Sequence, residues 1–331
     1  MAQYTGIQGQ NILIVSSDPA NPTEGQIWYN STSNLLKGYA NVVTNAWASG
    51  GNLNTARTTL AGAGTQTAAL GFGGYGPGLF SASESYNGTS WTNTPSLNTA
   101  RRVIMGTGLQ TAALGFGGLG APGISTNLTA TELWNGSTWT NNPTGLPVAN
   151  HGGGTSGTQT AALMFGGNGY KNTTVSFDGS TWTAVPGTLN TARATLAGCG
   201  TQTAALAFGG TIPGNVTGST ELWNGSTWTA NPTGLNTVRS ALGGSGTQTL
   251  AIAFGGYNGP PGLNSAATEL WNGSTWTTSS GNMATARYSL GSATSGTPTA
   301  TLGFGGYVTG SSAATEEWTG ASVEVRTITT S

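Results

Sequence analysis

An all-β ring of four-stranded antiparallel sheets is the fold class that this sequence predicts. Three observations predict it. The triplet Phe-Gly-Gly stands at Phe72, Phe116, Phe165, Phe208, Phe254 and Phe304, at intervals of 44, 49, 43, 46 and 50 residues. Self-similarity at such a period marks a repeat architecture. Each copy reads as four short strands, and no helical period appears in any of them. Each copy also sets aromatic residues on one strand face, as sheets stacked around an axis require.

Within a copy the elements follow a fixed order. A start such as Leu53–Arg57 leads into two small, Thr-rich apolar runs, Thr58–Thr65 and Thr67–Gly74, split by the polar turn at Thr65-Gln66. A loop of variable length comes next, then a unit such as Glu132–Thr140. Asn135-Gly136 inside that unit predicts a two-residue hairpin turn with positive φ at both positions. Asn87-Gly88, Asp178-Gly179, Asn224-Gly225 and Asn272-Gly273 keep the same chemistry. Such a turn sets Trp134 opposite Ser137 and Glu132 opposite Trp139, all on one face. Trp91, Trp139, Trp182, Trp228 and Trp276 recur at this place, whereas the last copy has Val323, so its outer strand is expected to pack less well.

Arg101, the doublet Gly117-Gly118, and Glu132, Trp134 and Trp139 in their hairpin show the recurring pattern. That pattern resembles the kelch repeat, a family of β-propellers that includes the central domain of galactose oxidase. The resemblance implies a kelch-like propeller of six four-stranded antiparallel blades over residues 52–331. It implies little about function, because the family holds both enzymes and binding modules. Residues 1–51 would then form an N-terminal β attachment module. The alternative is seven blades, with residues 10–51 as a worn copy whose strands are the runs at 11–17, 25–30, 35–40 and 45–49. Trp47 stands six residues before Leu53, as Trp91 does before Leu97. The six-blade reading rests on the last repeat carrying its own fourth strand at the C-terminus.

Only 6% of the 331 residues are charged, against roughly 25% in an average soluble protein. The net charge of −1 excludes a strong electrostatic footprint for nucleic acid or an anionic membrane. No run approaches the ~18 apolar residues of a membrane span. The opening residues lack a basic, apolar secretory pattern, so synthesis in a cytosol is expected. Cys199 is the one cysteine, and no internal disulfide can form.

The few charges follow the repeat. Arg57, Arg101, Arg193, Arg239 and Arg287 stand at repeat starts, and Glu84, Glu132, Glu221, Glu269 and Glu316 stand in the hairpins. The third copy has His151 and Val175 at those places, so it loses both partners together. Joint loss predicts structural ion pairs within each blade, since removing one partner would strand a buried charge. The rival reading is an arginine ring that binds an anion at the axis.

Catalytic groups are scarce. His151 is the only histidine, and nothing in the sequence places a Ser nucleophile or a carboxylate beside it. One histidine cannot supply the ligands of a copper site. Asp18 and Asp178, the only aspartates, are too few for a calcium or two-metal site. Glu316 and Glu317 are adjacent, so on a strand they face opposite ways and cannot work as a glycosidase pair. Gly136, Thr138 and Trp139 resemble the Asp-box of sialidase propellers, but Trp134 holds the Asp position. Sequons such as Asn224-Gly225-Ser226 coincide with turns. No catalytic residue, cofactor or metal is expected.

Gly25, Ile27, Trp28, Tyr29, Asn30, Leu36, Tyr39 and Trp47 resemble a short β meander of bacteriophage tail-fibre and other virion proteins. That resemblance implies a virion structural or adhesion protein, a tail fibre or surface decoration, made in the host cytoplasm and released by lysis. Its partners would be other virion proteins, met through the N-terminal module, copies of itself, and a host-surface glycan or receptor. Binding is expected in the loops between second and third strands, which alone vary strongly among copies. Tyr75, Tyr257 and Tyr307 follow Gly-Gly directly and could offer an aromatic platform for a neutral glycan, or merely cover strand ends. The rivals are a lyase or glycosidase acting on glycans, and an architectural decoration without a ligand.

Overall fold

The computed structural model describes residues 12–23, 25–42, 45–121, 123–259 and 262–328. The expectation drawn from the opening residues falls, up to residue 11, outside them. Among these residues all regular structure is β, and Asn45–Thr319 form one unit. The described residues before 45 and after 319 form the other.

The larger unit is a β-propeller containing six four-stranded sheets. Ala61–Thr65, Ala68–Phe72, Ser83–Tyr86 and Trp91–Thr94 make the first, with Ala61 opposite Phe72 and Tyr86 opposite Trp91. Four more follow the same order, from Met105–Leu109 to Trp276–Thr278. Inner strands are small because they crowd the axis. A Cβ at Gly62 would lie 2.2 Å from the carbonyl oxygen of Ser292.

The sixth sheet corrects two expectations. Its strands are Gly291–Ser292, Ala300–Phe304, Thr315–Thr319 and, outermost, Ala46–Ser49. Trp47, not Val323, pairs with Trp318 across it. Ser322–Thr327 pairs instead with Leu35–Val42, in a sheet that Ile27–Asn30 and Leu13–Val15 complete. Three of the four strands foreseen for a worn seventh blade thus form this separate sheet, and the fourth closes the sixth blade. The boundary shifts from 51/52 to 44/45, and the C-terminal strand leaves the propeller. A ring gains by this exchange: its last sheet is completed by a strand distant in sequence, so no blade edge is left unpaired at the junction.

Trp47 also completes two interblade series. Each outer-strand Trp packs on the Phe of the preceding blade, from Trp139 on Phe72 at 4.8 Å through Trp182 on Phe116 at 4.6 Å to Trp47 on Phe254 at 4.8 Å. Each indole N–H also donates to a hydroxyl at the start of that blade's third strand, as Trp139 does to Ser83 at 3.0 Å and Trp47 to Thr268 at 2.8 Å.

The hairpin differs from its expectation too. Trp134 lies opposite Trp139 and Glu132 opposite Asn141, because the loop has four residues, Asn135 to Thr138. The Asn135 carboxamide accepts the N–H groups of Ser137 and Thr138, each at 2.9 Å, and only Gly136 takes positive φ. This side-chain cap stabilises a wider turn than the two-residue one.

A third interblade series comes from the Gln of the first turn. Gln202 donates to the carbonyls of Ala162 and Phe177 in the preceding blade, at 3.0 and 2.7 Å. Gln66, Gln110, Gln159 and Gln248 do likewise. The sixth blade has Pro298 there, which cannot donate. Gln202→Ala is expected to cost about 1–3 kcal/mol, since it leaves two shielded carbonyls unpaired. Urea unfolding with a loss below a few tenths of a kcal/mol would refute the staple.

Candidate functional site

The structure brings each repeat arginine to the glutamate of its own blade. Arg57–Glu84 and Arg101–Glu132 meet at 2.9 Å, Arg239–Glu269 and Arg287–Glu316 at 3.0 Å, and Arg193–Glu221 at 3.3 Å. All five guanidinium groups are fully buried. Arg101 also donates to the carbonyls of Gly115, Gly117 and Ala130, while Glu132 accepts the backbone N–H of Asn98 at 2.7 Å. Burial lowers the pKa of Arg101 to about 10 and the nearby Glu132 opposes the shift, so the group stays charged at neutral pH. Groups so enclosed cannot take an axial anion.

The third copy departs from expectation in its register. Asn150, not His151, occupies the arginine position. It is buried and donates to the Gly166 carbonyl at 2.9 Å, sixteen residues on, as Arg57 and Arg101 reach Gly73 and Gly117. Met164 lies opposite Val175, where Gly115 lies opposite Glu132 in the second blade, and fills space left by the shorter side chain. His151 therefore sits one residue further along, on the rim.

The axis is narrow. Thr59, Val103, Gly152, Thr195, Ala241 and Ser289 all take left-handed φ, between 49° and 63°. Thr59 N–H donates to Ser289, Ser289 to Ala241 and Ala241 to Thr195, each at 2.8 Å. Four of these are non-glycine residues with branched or polar side chains, held in a conformation that costs about 1–3 kcal/mol each. The ring and the inner strands line a cavity of about 150 Å³. Ser295 crosses towards its other end, donating to the carbonyls of Gly64 and Gly108. Such a volume holds a few waters.

The loop face is roomier. The residue after each repeat arginine pairs with the residue after Gly-Gly of the same blade: Thr58 with Tyr75, Arg102 with Leu119, Ser240 with Tyr257 and Tyr288 with Tyr307. Neighbouring blades then bring these side chains together. Tyr288 stands 5.6 Å from Tyr257 and 5.3 Å from Tyr307, ring centre to ring centre. Of the three tyrosines singled out in the sequence, Tyr257 and Tyr307 thus meet through a fourth. Tyr75 lies apart from the trio, under the Arg102 guanidinium at 5.2 Å. A hollow of about 320 Å³ lies between Tyr170, Asn215, Val216 and Tyr257. Burial, then the phenols of Tyr307 and Tyr257, raise the pKa of Tyr288 and keep it neutral.

Sequence reasoning missed Tyr288, Tyr170 and Arg102 as rim residues. The signal was available, since Tyr288 follows Arg287 as Arg102 follows Arg101. Elsewhere reactive groups are quiet. Burial pushes the Cys199 thiol up, away from thiolate formation. Among the described residues no group of three His, Cys, Asp or Glu is placed to hold a metal.

No protein-family model and no curated protein matches this sequence. Solved structures do match its fold. The structure of YjhT superposes with a TM-score of 0.65 at 16% identity, over 83% of this chain and 99% of that one. At that identity the likeness is one of fold.

Proposed function

We propose that this chain is a non-catalytic adhesion module of a bacteriophage particle, a tail fibre or surface decoration whose loop face grips a host-surface glycan. The observation that carries the reading is the tyrosine trio on the loop face, Tyr257, Tyr288 and Tyr307, set on a scaffold cross-linked between every blade. Tyrosine faces pack on sugar C–H surfaces and lose little rotamer freedom in doing so. The N-terminal segment, with Trp28, Tyr29, Asn30 and Leu36, supports attachment to other particle proteins and assembly with copies of itself. Virion residence follows from the same segment.

A glycan array tests the proposal. Wild type should give carbohydrate signals that Tyr257→Ala with Tyr288→Ala lowers at least tenfold, at unchanged thermal stability. An array without signal would leave an architectural role. Release of oligosaccharide products from host polysaccharide, abolished by His151→Ala, would make the chain an enzyme.

A further inference from the structure

The charges of the propeller unit do not cancel locally. Residues 45–319 hold seven cations, Arg57, Arg101, Arg102, Lys171, Arg193, Arg239 and Arg287, and seven acids, Glu84, Glu132, Asp178, Glu221, Glu269, Glu316 and Glu317. Five of each sign are consumed in the buried pairs. Arg102 and Lys171 remain among the cations, and Asp178 and Glu317 among the acids. Asp178 caps the turn between third and fourth strands, bonding Ser180 and Thr181, at the end of its blade opposite the loop face. Glu317 accepts the Tyr86 hydroxyl. Among the described residues neither remaining cation has a carboxylate partner.

Both cations lie on the rim of the second and third blades, beside His151. Arg102 pairs with Leu119, and Leu119 pairs with Asn127, whose carboxamide oxygen meets His151 Nδ1 at 2.6 Å. Lys171 Nζ reaches the carbonyl of Ala149, two residues before His151, at 3.3 Å. Among the described residues Arg102 spends only Nε in hydrogen bonding, on the Ile124 carbonyl at 3.0 Å. Among those residues its two terminal nitrogens and two Lys171 protons are left for a ligand. The His151 ring, with its Nδ1–H turned to Asn127, borders them, and all three side chains are partly exposed. Neutral acceptors thus hold the cations in place without discharging them.

We propose that Arg102 and Lys171, bordered by His151, form a subsite for the carboxylate of an acidic glycan. The proposal rests on the adhesion reading and narrows its ligand from a neutral to an acidic sugar chain. Arg102 meets a carboxylate side-on with its terminal nitrogens, Lys171 adds a point charge, and the Tyr75 ring beneath Arg102 supports the guanidinium. The positive field is already felt within the protein: after burial, Arg102 and Lys171 are the groups that lower the pKa of His151. An acidic peptide would match the charge but would make no use of the tyrosine trio, Tyr257, Tyr288 and Tyr307.

Calorimetry on the whole chain tests this with three probes: hexagalacturonate, its fully methyl-esterified form, and hexaglutamate. Wild type should bind the free acid at least tenfold more tightly than the ester, with affinity falling as salt rises from about 0.05 to 0.5 M. Arg102→Gln with Lys171→Gln should remove that difference and leave the weaker ester affinity intact, whereas Tyr288→Ala should weaken both sugars. Equal affinity for acid and ester, or an acid preference untouched by the double variant, overturns the subsite and leaves the adhesion reading standing. Tighter binding of hexaglutamate than of hexagalacturonate also overturns it, in favour of a peptide. Wild type that binds neither sugar overturns the subsite, and the glycan array then decides the adhesion reading separately.

Discussion

Trp47→Ala is expected to destabilise the propeller by about 3 kcal/mol or more, the range for emptying a packed aromatic site. Trp47 is the last member of both interblade series. It stacks on Phe254 at 4.8 Å, lies 5.5 Å from Trp318 and donates to Thr268. Losing Trp276 removes the same kinds of contact from a blade whose four strands are consecutive in the chain. Losing Trp47 also loosens the one blade whose outer strand comes from far away in sequence. Trp47→Ala should therefore admit proteolysis between residues 45 and 60 at protease levels that leave Trp276→Ala intact. Urea unfolding within about 1 kcal/mol of wild type would show that the ring does not depend on this closure.

Arg101→Ala comes next in size, at about 3–5 kcal/mol, because it leaves Glu132 buried without its counter-ion. Arg101→Ala with Glu132→Gln should recover part of that loss, since no uncompensated charge remains. The Asn98 N–H, the shorter of the two backbone donors that Glu132 accepts, can then bond the amide oxygen. Arg193→Ala should cost less than Arg101→Ala. Its contacts are longer, 3.3 Å to Glu221 and 3.5 Å to the Ala207 carbonyl, and one terminal nitrogen has no partner. Adding Glu221→Gln should again soften the loss. A double variant no more stable than its single parent, at both pairs, would refute the stranded-charge account.

The repeat, the strand count per copy and the all-β class were legible in the sequence because each is local: a period, an alternation and a turn. Closure was not. The six-residue spacing from Trp47 to Leu53 matched that from Trp91 to Leu97, yet a sequence does not say which distant edge a strand will meet. Asn150 was misread for a different reason. His151 is charged-looking and conspicuous, whereas the spacing of sixteen from Asn150 to Gly166 identifies the arginine position. The rim was only half visible. Tyr257 and Tyr307 follow a motif, but Tyr288 becomes their neighbour through the packing of one blade against the next.

The crossing of the two chain ends carries a consequence for how the molecule is made. Ala46–Ser49 waits for Thr315–Thr319, and Leu35–Val42 waits for Ser322–Thr327. At a ribosome adding roughly 5–20 residues each second, the first of these strands emerges well before its partner exists. For that interval it is an unsatisfied edge beside five blades able to form from consecutive segments. The entropy of closing so long a loop rises only as the logarithm of its length, so the final step is slow in arrival rather than steep in free energy. A second nascent chain on the same message offers an identical early strand, and concentration alone decides between closure within one chain and exchange between two.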